Sequence, residues 1–304
     1  MVHINIKLVV YLTAFQSETH LAALDDFAFI SDQAFVLTSP GIEPCFRLYT
    51  FDTNPSVHDS HISSPTLRAT LYLPDMCLDA SARLLGIHTG PFTSTASQLL
   101  RPSKPFVTAP QARIHVINID LTSRSTEHAF SFLIVIRNET FISYLNEVEP
   151  LRVAWEDWGP HQTRWIRGGT GSLWLRYVHG ERLVRLQATA DDGSRYLEMY
   201  DFGAPRGPPS WRTPQEDILM HRTSTFKLSP VFESSVKSQL PCRVTTKWEI
   251  FPYSGFMVDE DRLIGLKVRD GYDTPADYAY ICISVIGMMK PQALMFSRFD
   301  LLDS

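Results

Sequence analysis

The stretch Val153–Leu186 constrains the fold most strongly, because it combines large aromatic side chains with the densest run of turn residues in the chain. It holds four of the six tryptophans, Trp155, Trp158, Trp165 and Trp174. Gly159-Pro160 predicts the end of one extended segment. Arg167–Gly171 has no helical pattern and predicts an exposed loop. The alternating pattern after Leu173 and the Gly-rich composition before it predict that Trp158 and Trp174 are mostly buried.

A β-hairpin is predicted in the second half of this stretch. Residues Leu173–Val178 alternate between two sets of side chains, as in a strand with two different faces. His179-Gly180 follows, and Leu183–Leu186 resumes the extended run. A short turn containing glycine between two such runs is typical of a hairpin, since glycine adopts positive φ without strain.

These residues resemble a known family. Trp155–Trp165 followed by Tyr177–Leu186 resembles the region downstream of the F-box in F-box proteins of mushroom-forming fungi. Those proteins carry Val-Pro-Trp-x-x-Trp-Gly-Pro-x-x-Thr-Arg and then Tyr-Val-His-Gly-x-Arg, whereas Ala154 stands here in place of the proline. The resemblance covers roughly Leu24 to Lys267 and includes further segments at Phe29–Phe35, Thr89–Phe92, Gln239–Arg243 and Gly255–Lys267.

The resemblance implies a β-propeller-like domain that recognises a protein substrate for a Skp1-cullin-F-box ubiquitin ligase. The chain begins MVHINIKLVVYL, without the amphipathic helical segment of an F-box. We therefore expect the Skp1-binding half to be missing, so that Skp1 and cullin are partners only if an F-box lies upstream. A truncated gene model, a fragment or a diverged copy would each give such a chain. The tail 269–304 matches nothing in the family.

Composition and turn spacing independently predict an all-β fold. Hydrophobic residues make up 44% of the 304 residues and aromatic residues 12%, which is enough for a sizeable core. The 20 prolines disfavour long helices, and turn signals about every ten residues exclude alternating α/β architectures. We predict one β-propeller or propeller-like array over 1–304, with a pair of β-sandwiches as the alternative. The one segment with a helical pattern is Glu233–Leu240.

A loose repeat supports the propeller, which is otherwise implied by the resemblance. Several predicted strands end in an apolar residue followed by aspartate, as in propellers of the WD type, at Phe51-Asp52, Ile119-Asp120, Tyr200-Asp201 and Phe299-Asp300. The apolar runs Ile4–Tyr11 and Tyr278–Phe299 lie at opposite ends of the chain. We expect them to pair in one shared blade and close the ring.

Charge and cysteine content limit the partners and the compartment. The formal net charge of −5 gives no general attraction to nucleic acid or anionic lipid, and no apolar run approaches the ~18 residues of a membrane span. Cysteines stand alone at Cys45, Cys77, Cys242 and Cys282. Scattered thiols predict an intracellular protein, in the cytoplasm or nucleus. The Asn138–Thr140 sequon favours a secreted protein, which is the alternative.

Known catalytic constellations are absent from the sequence, so we expect no enzyme activity, no cofactor and no bound metal. Residues Arg167–Ser172 lack the lysine and following helix of a phosphate loop, and His58–His61 are expected to be solvated. The alternative is a hydrolase on a propeller scaffold, which requires carboxylates or a Ser/His/Asp set that converge at one face.

The candidate partner-binding residues combine the types that dominate binding hot spots, and they are Trp155, Trp158, His161, Arg164 and Trp165. The alternative for the tryptophans is packing between blades. The candidate partner is an unidentified protein substrate.

Overall fold

The computed structural model describes residues 26–51, 65–90, 112–124, 129–146, 149–168, 177–188, 195–203, 217–220, 222–247, 255–259, 262–269 and 280–287. Several predicted features lie outside these residues: the strand in Ile4–Phe15 and its pairing with the C-terminal run, Leu173–Arg176 with Trp174, His58–His61, Asp52 and Asp300. The described chain is all-β in class, with several small, open sheets and two short helices.

Strands in the N-terminal half form two sheets. Sheet I has the order β1-β2-β3-β4-β8, with β1 (Phe27–Ser31), β2 (Ala34–Ser39), β3 (Cys45–Thr50), β4 (Thr66–Tyr72) and β8 (Leu151–Val153). Sheet II has the order β5-β6-β7-β9, with β5 (Ala80–Thr89), β6 (Ile114–Ser123), β7 (Ala129–Arg137) and β9 (Thr163–Arg167). Neighbouring strands run antiparallel, except that β8 joins β4 in parallel.

Strands in the C-terminal half form three further sheets. Sheet III has the order β10-β11-β12-β16-β13, with β10 (Val178–His179), β11 (Arg182–Ala188), β12 (Arg195–Asp201), β13 (Asp217–Met220) and β16 (Cys242–Lys247). Sheet IV pairs β14 (Ser224–Phe226) with β15 (Val236–Ser238). Sheet V has the order β17-β18-β19, with β17 (Gly255–Val258), β18 (Arg262–Arg269) and β19 (Tyr280–Gly287).

Sheets I, II, III and V pack face to face in chain order. Sheet I shares one core with sheet II, which includes Phe46 and Ile134. The opposite face of sheet II shares a second core with sheet III, and sheet III shares a third with sheet V. Sheet II is therefore covered on both faces. This explains why β6 is buried along most of its length on both faces, even at the polar residues His115 and Asn118.

The region around Gly159-Pro160 differs from the prediction. Helix α1 spans Asn138–Ser143, and α2 spans Trp155–Gln162 with Pro160 inside it, where the sequence predicts the end of an extended segment. The fixed φ of proline is compatible with a helix, and α2 lasts only eight residues. Packing of its buried Trp155 and Trp158 rings against the core stabilises a helix that local propensity does not favour.

Two further predictions are wrong. The expected helical segment Glu233–Leu240 contains strand β15 instead, because sheet pairing with β14 overrides its local pattern. Asp120 lies inside β6 rather than at its end, where it accepts a hydrogen bond from Ser131 Oγ at 2.6 Å. Asp201 does end its strand, β12. The aspartate repeat therefore holds at one of the two described positions.

The hairpin prediction is confirmed. Strands β10 and β11 are antiparallel with His179 opposite Arg182, so Gly180 and Glu181 form a two-residue turn. Gly180 has φ +55°, the positive value that such a turn favours. The hairpin places Arg185 and Gln187 of β11 on the face towards sheet II.

Candidate binding groove between sheets II and III

Strand β9 presents two different side-chain sets to two different cores. Trp165 points into the core between sheets I and II, whereas Ile166 belongs to the core between sheets II and III. Because side chains alternate along a strand, Arg164 shares the face of Ile166. An arginine is thereby directed towards sheet III from a strand whose first four residues are buried.

Arg164 is held in place by several acceptors. Its side chain is only 1% exposed. Nε donates to the Leu240 carbonyl at 2.7 Å, and Nη1 donates to Ser224 Oγ at 2.9 Å and to the Arg222 carbonyl at 3.2 Å. Burial lowers the pKa of Arg164, but arginine starts from so high a value that the group stays charged at neutral pH. The groove therefore has a fixed positive charge on its sheet II side.

The opposite wall comes from β11 and β12. Arg185 and Gln187 lie on the face of β11 that is directed towards sheet II, and Arg185 is 4% exposed. On β12, Tyr196, Glu198 and Tyr200 share the corresponding face, and Glu198 lies directly opposite Arg185 in the register. The Tyr200 hydroxyl donates to Glu198 Oε2 at 3.0 Å. Burial, followed by the nearby Glu198 carboxylate, raises the pKa of Tyr200, which keeps it a hydrogen-bond donor.

Between these walls is an open groove of about 350 Å³. This volume falls in the range of pockets that hold small ligands or single side chains. The lining residues come from sheets II, III and IV and are Arg164, Trp165, Ile166, Arg167, Arg185, Gln187, Tyr196, Glu198, Tyr200, Ser224 and Phe226. The lining is thus rich in arginine and aromatic side chains, with one carboxylate.

The structure separates the five candidate residues into three environments. Trp155, Trp158 and Trp165 are core residues, with ring centroids 5.4 Å apart for Trp155–Trp158 and 5.9 Å apart for Trp155–Trp165. The predicted burial of Trp158 is confirmed at 1% exposure. His161 is exposed on α2, and Arg164 lines the groove. The three indoles pack on one another in the core between sheets I and II, which favours the packing alternative.

Sequence reasoning missed the other wall of the groove. The sequence predicts no binding role for Arg185, Tyr196, Glu198 or Tyr200. A signal was present: polar residues at every second position of β12 place one polar row on a strand with apolar residues on its other face. Such a row indicates that this face of the strand is directed towards a groove or towards solvent. The sequence does not say which neighbouring strand contributes the second wall.

A separate buried polar cluster connects sheets I and II. His115 Nε2 donates to Asn138 Oδ1 at 2.8 Å, and Asn138 Nδ2 donates to the Ile30 carbonyl at 3.1 Å. Arg113 Nη2 also donates to the Ile30 carbonyl, at 2.7 Å. Burial and the Arg113 charge lower the pKa of His115 to about 3, although the Asn138 hydrogen bond acts in the opposite direction. The ring is therefore neutral. Asn138 is fully buried, which makes the sequon side chain inaccessible in the folded chain.

Two further properties concern the described part of the chain. It contains no group of three or more His, Cys, Asp or Glu side chains arranged to hold a metal ion. Its helices are also too short or too polar to cross a membrane.

Comparison of the chain with models of protein families, with curated proteins and with solved structures gave no match.

Proposed function

We propose that this chain is a propeller-like binding module that holds a protein partner in the groove between sheets II and III. The observation that carries the proposal is the lining of this groove. Arginine and tyrosine side chains project into it from strands that are held rigidly in stacked sheets. Arginine, tyrosine and tryptophan are the residues most often responsible for binding energy at protein interfaces.

Stacking of the sheets in chain order supports the propeller part of the proposal. The first strands of successive sheets lie near one another, with β5 beside β1, β10 beside β5, and β17 beside β10. In a propeller, the first strands of the blades surround a common axis. We propose that sheets I, II, III and V are such blades. An experimental structure in which the four sheets form a linear stack would contradict this arrangement.

The family resemblance suggests the kind of partner. We propose that the groove belongs to the substrate-recognition region of an F-box-type ubiquitin-ligase adaptor, and that the partner is a protein substrate. Within the segment that carries the resemblance, Trp155–Gln162 forms α2 and leads into β9, which holds the groove residue Arg164. Sequencing the transcript upstream of Met1 tests the adaptor role, which requires an in-frame F-box.

No feature of the groove favours the hydrolase alternative. A glycoside-cleaving site needs two carboxylates at a fixed separation. Among the described lining residues, Glu198 is the sole carboxylate, and it accepts a hydrogen bond from Tyr200. Ser224 Oγ contacts the Arg164 guanidinium, which is not a base that could activate it.

Site-specific photo-crosslinking tests the binding proposal. A photoreactive residue at the position of Arg167, exposed at the rim of the groove, should crosslink one dominant protein in a cell extract. The matched control is Ile42, which is 67% exposed and does not line the groove.

The protein identified by crosslinking is then purified and its affinity for the chain is measured. Tyr196→Ala should weaken binding about tenfold, as loss of a hot-spot residue does. Equal crosslinking at both positions, or an unchanged affinity, would contradict the proposal.

A further inference from the structure

The groove contains an arginine, Arg185, whose charge has no carboxylate partner in the part of the chain that the structure describes. Among the described residues, no carboxylate oxygen lies within 4.0 Å of the Arg185 guanidinium. Its cross-strand neighbour Glu198 is the natural candidate, but that carboxylate accepts from the Tyr200 hydroxyl. Arg185 is nevertheless almost fully buried. Burying an ionised group is costly unless a charge or several hydrogen bonds compensate it.

The acceptors that Arg185 does have are neutral. Nη2 donates to the Arg167 carbonyl at 3.1 Å. The Gln187 amide lies beside the same guanidinium, and with its oxygen facing Arg185 it accepts from Nη2, from Nε at 3.1 Å and from Nη1 at 3.3 Å. An arginine has five N–H donors, so these contacts leave one N–H of Nη1 for a ligand in the groove.

The backbone provides space for this arrangement. Gly168 has φ +128°, and a Cβ built there would lie 2.5 Å from Arg185 Nη2 and 3.6 Å from Gln187 Nε2. A side chain at this position would displace the guanidinium. The glycine therefore lets Arg185 lie directly against the end of β9, across the groove from Arg164, so two arginine side chains line opposite walls.

We propose that the groove binds an oxyanion, a carboxylate or a phosphate group, through Arg185 with Arg164 on the facing wall. The inference rests on the proposed function, in that the oxyanion belongs to the protein partner. A guanidinium N–H donates a charge-assisted hydrogen bond to either oxyanion, and the charge of the second arginine adds to the attraction. Glu198 occupies part of the β12 side of the groove. The anion therefore contacts the two arginines and Tyr196 rather than the Glu198 carboxylate.

Thermal unfolding of the whole chain with simple ions tests this without a partner. Wild-type protein is unfolded in sodium phosphate, sodium acetate or sodium chloride at equal ionic strength and about pH 7, where the arginines are charged. We expect Tm to rise by about 2 °C in phosphate, acetate or both, relative to chloride. A rise in phosphate alone assigns the site to a phosphate group, and a rise in acetate alone assigns it to a carboxylate. Equal Tm values in all three salts overturn the inference.

Variants of β11 locate the effect. Arg185→Gln should abolish the anion-dependent rise, whereas Arg182→Gln, on the same strand but outside the groove lining, should keep it. If Arg185→Gln does not fold, Arg185→Lys decides, because lysine keeps the charge but not the planar donor geometry that holds the guanidinium against Arg167 and Gln187, and it should lose at least half of the rise. A full rise in the folded Arg185 variant overturns the inference.

The two proposals fail separately. A partner that crosslinks at position 167 while phosphate and acetate leave Tm unchanged contradicts only the oxyanion site. An Arg185-dependent rise in Tm without a specific crosslink contradicts the protein partner and leaves a small-anion site.

Discussion

The indole of Trp155 lies directly on the α carbon of Gly159, so closely that a Cβ built there would be 2.1 Å from Cε3. The two residues are four positions apart, which places them on the same face of α2. The close contact brings the helix backbone down onto the ring and seats Trp155 beside Trp158 and Trp165 in the core. Only glycine permits this approach, which gives the Trp-x-x-Trp-Gly-Pro sequence a physical reason.

Replacing Gly159 should therefore destabilise the fold even though alanine is the better helix former. The added methyl group must displace Trp155 from a packed core, and overpacking of this kind costs about 1 to 3 kcal/mol. Urea unfolding of Gly159→Ala measures the loss. Gly86→Ala is the matched control, since a Cβ built at Gly86 meets no atom within 4 Å. Equal stabilities of the two variants would show that the ring does not depend on the glycine.

The neutral state of His115 should make stability depend on pH. The folded pKa of about 3 lies below the ordinary value near 6.5, so the unfolded chain takes up a proton between these values and the folded chain does not. The contribution of His115 is therefore complete above about pH 6.5 and declines as pH falls towards 3, by at most about 1.4 kcal/mol per pH unit.

Urea unfolding at about pH 7 and pH 5 checks this dependence. His115→Gln should lose less stability between the two values than the wild type does. His161→Gln, at an exposed position on α2, should lose as much as the wild type. The same loss in all three proteins would contradict a buried neutral imidazole.

Asn138 should matter for stability rather than for modification. Its side chain satisfies both His115 and the Ile30 carbonyl inside the core, so Asn138→Ala leaves buried polar groups without partners and should cost about 2 to 3 kcal/mol. Asn146→Ala, at an exposed position just after α1, should change stability by less than about 0.5 kcal/mol. Similar unfolding midpoints for both variants in urea would count against the cluster.

The cysteines should differ in reactivity. Burial raises the pKa of the Cys242 thiol to about 11, with Arg164 opposing and Asp201 adding to the shift, whereas Cys77 is only half-buried. Because the thiolate is the reactive form, native protein treated with iodoacetamide at about pH 8 should be alkylated at Cys77 at least about tenfold faster than at Cys242. Peptide mass spectrometry over time gives both rates. Urea-unfolded protein is the control, in which the two thiols should react alike.

The sequence by itself determined the strands and their faces, because a strand leaves a local record. Alternation in Thr66–Tyr72 marks one apolar row on that strand, and the glycine after His179 marks a tight turn. These patterns depend only on the two-residue period of extended chain and on the freedom of glycine. Both can be recognised without knowing what packs on the strand, so the all-β class was predictable.

Tertiary structure alone decided which arginines line the groove and where α2 forms. Nothing local distinguishes Arg164 and Arg185 from Arg167 and Arg182, yet the first two are buried and the others lie nearer the surface. Their burial arises only when sheet III packs on sheet II, which joins residues from distant parts of the chain. Likewise α2 forms where Gly159-Pro160 predicts its opposite, because the core that receives its tryptophans is built from residues far from it in sequence.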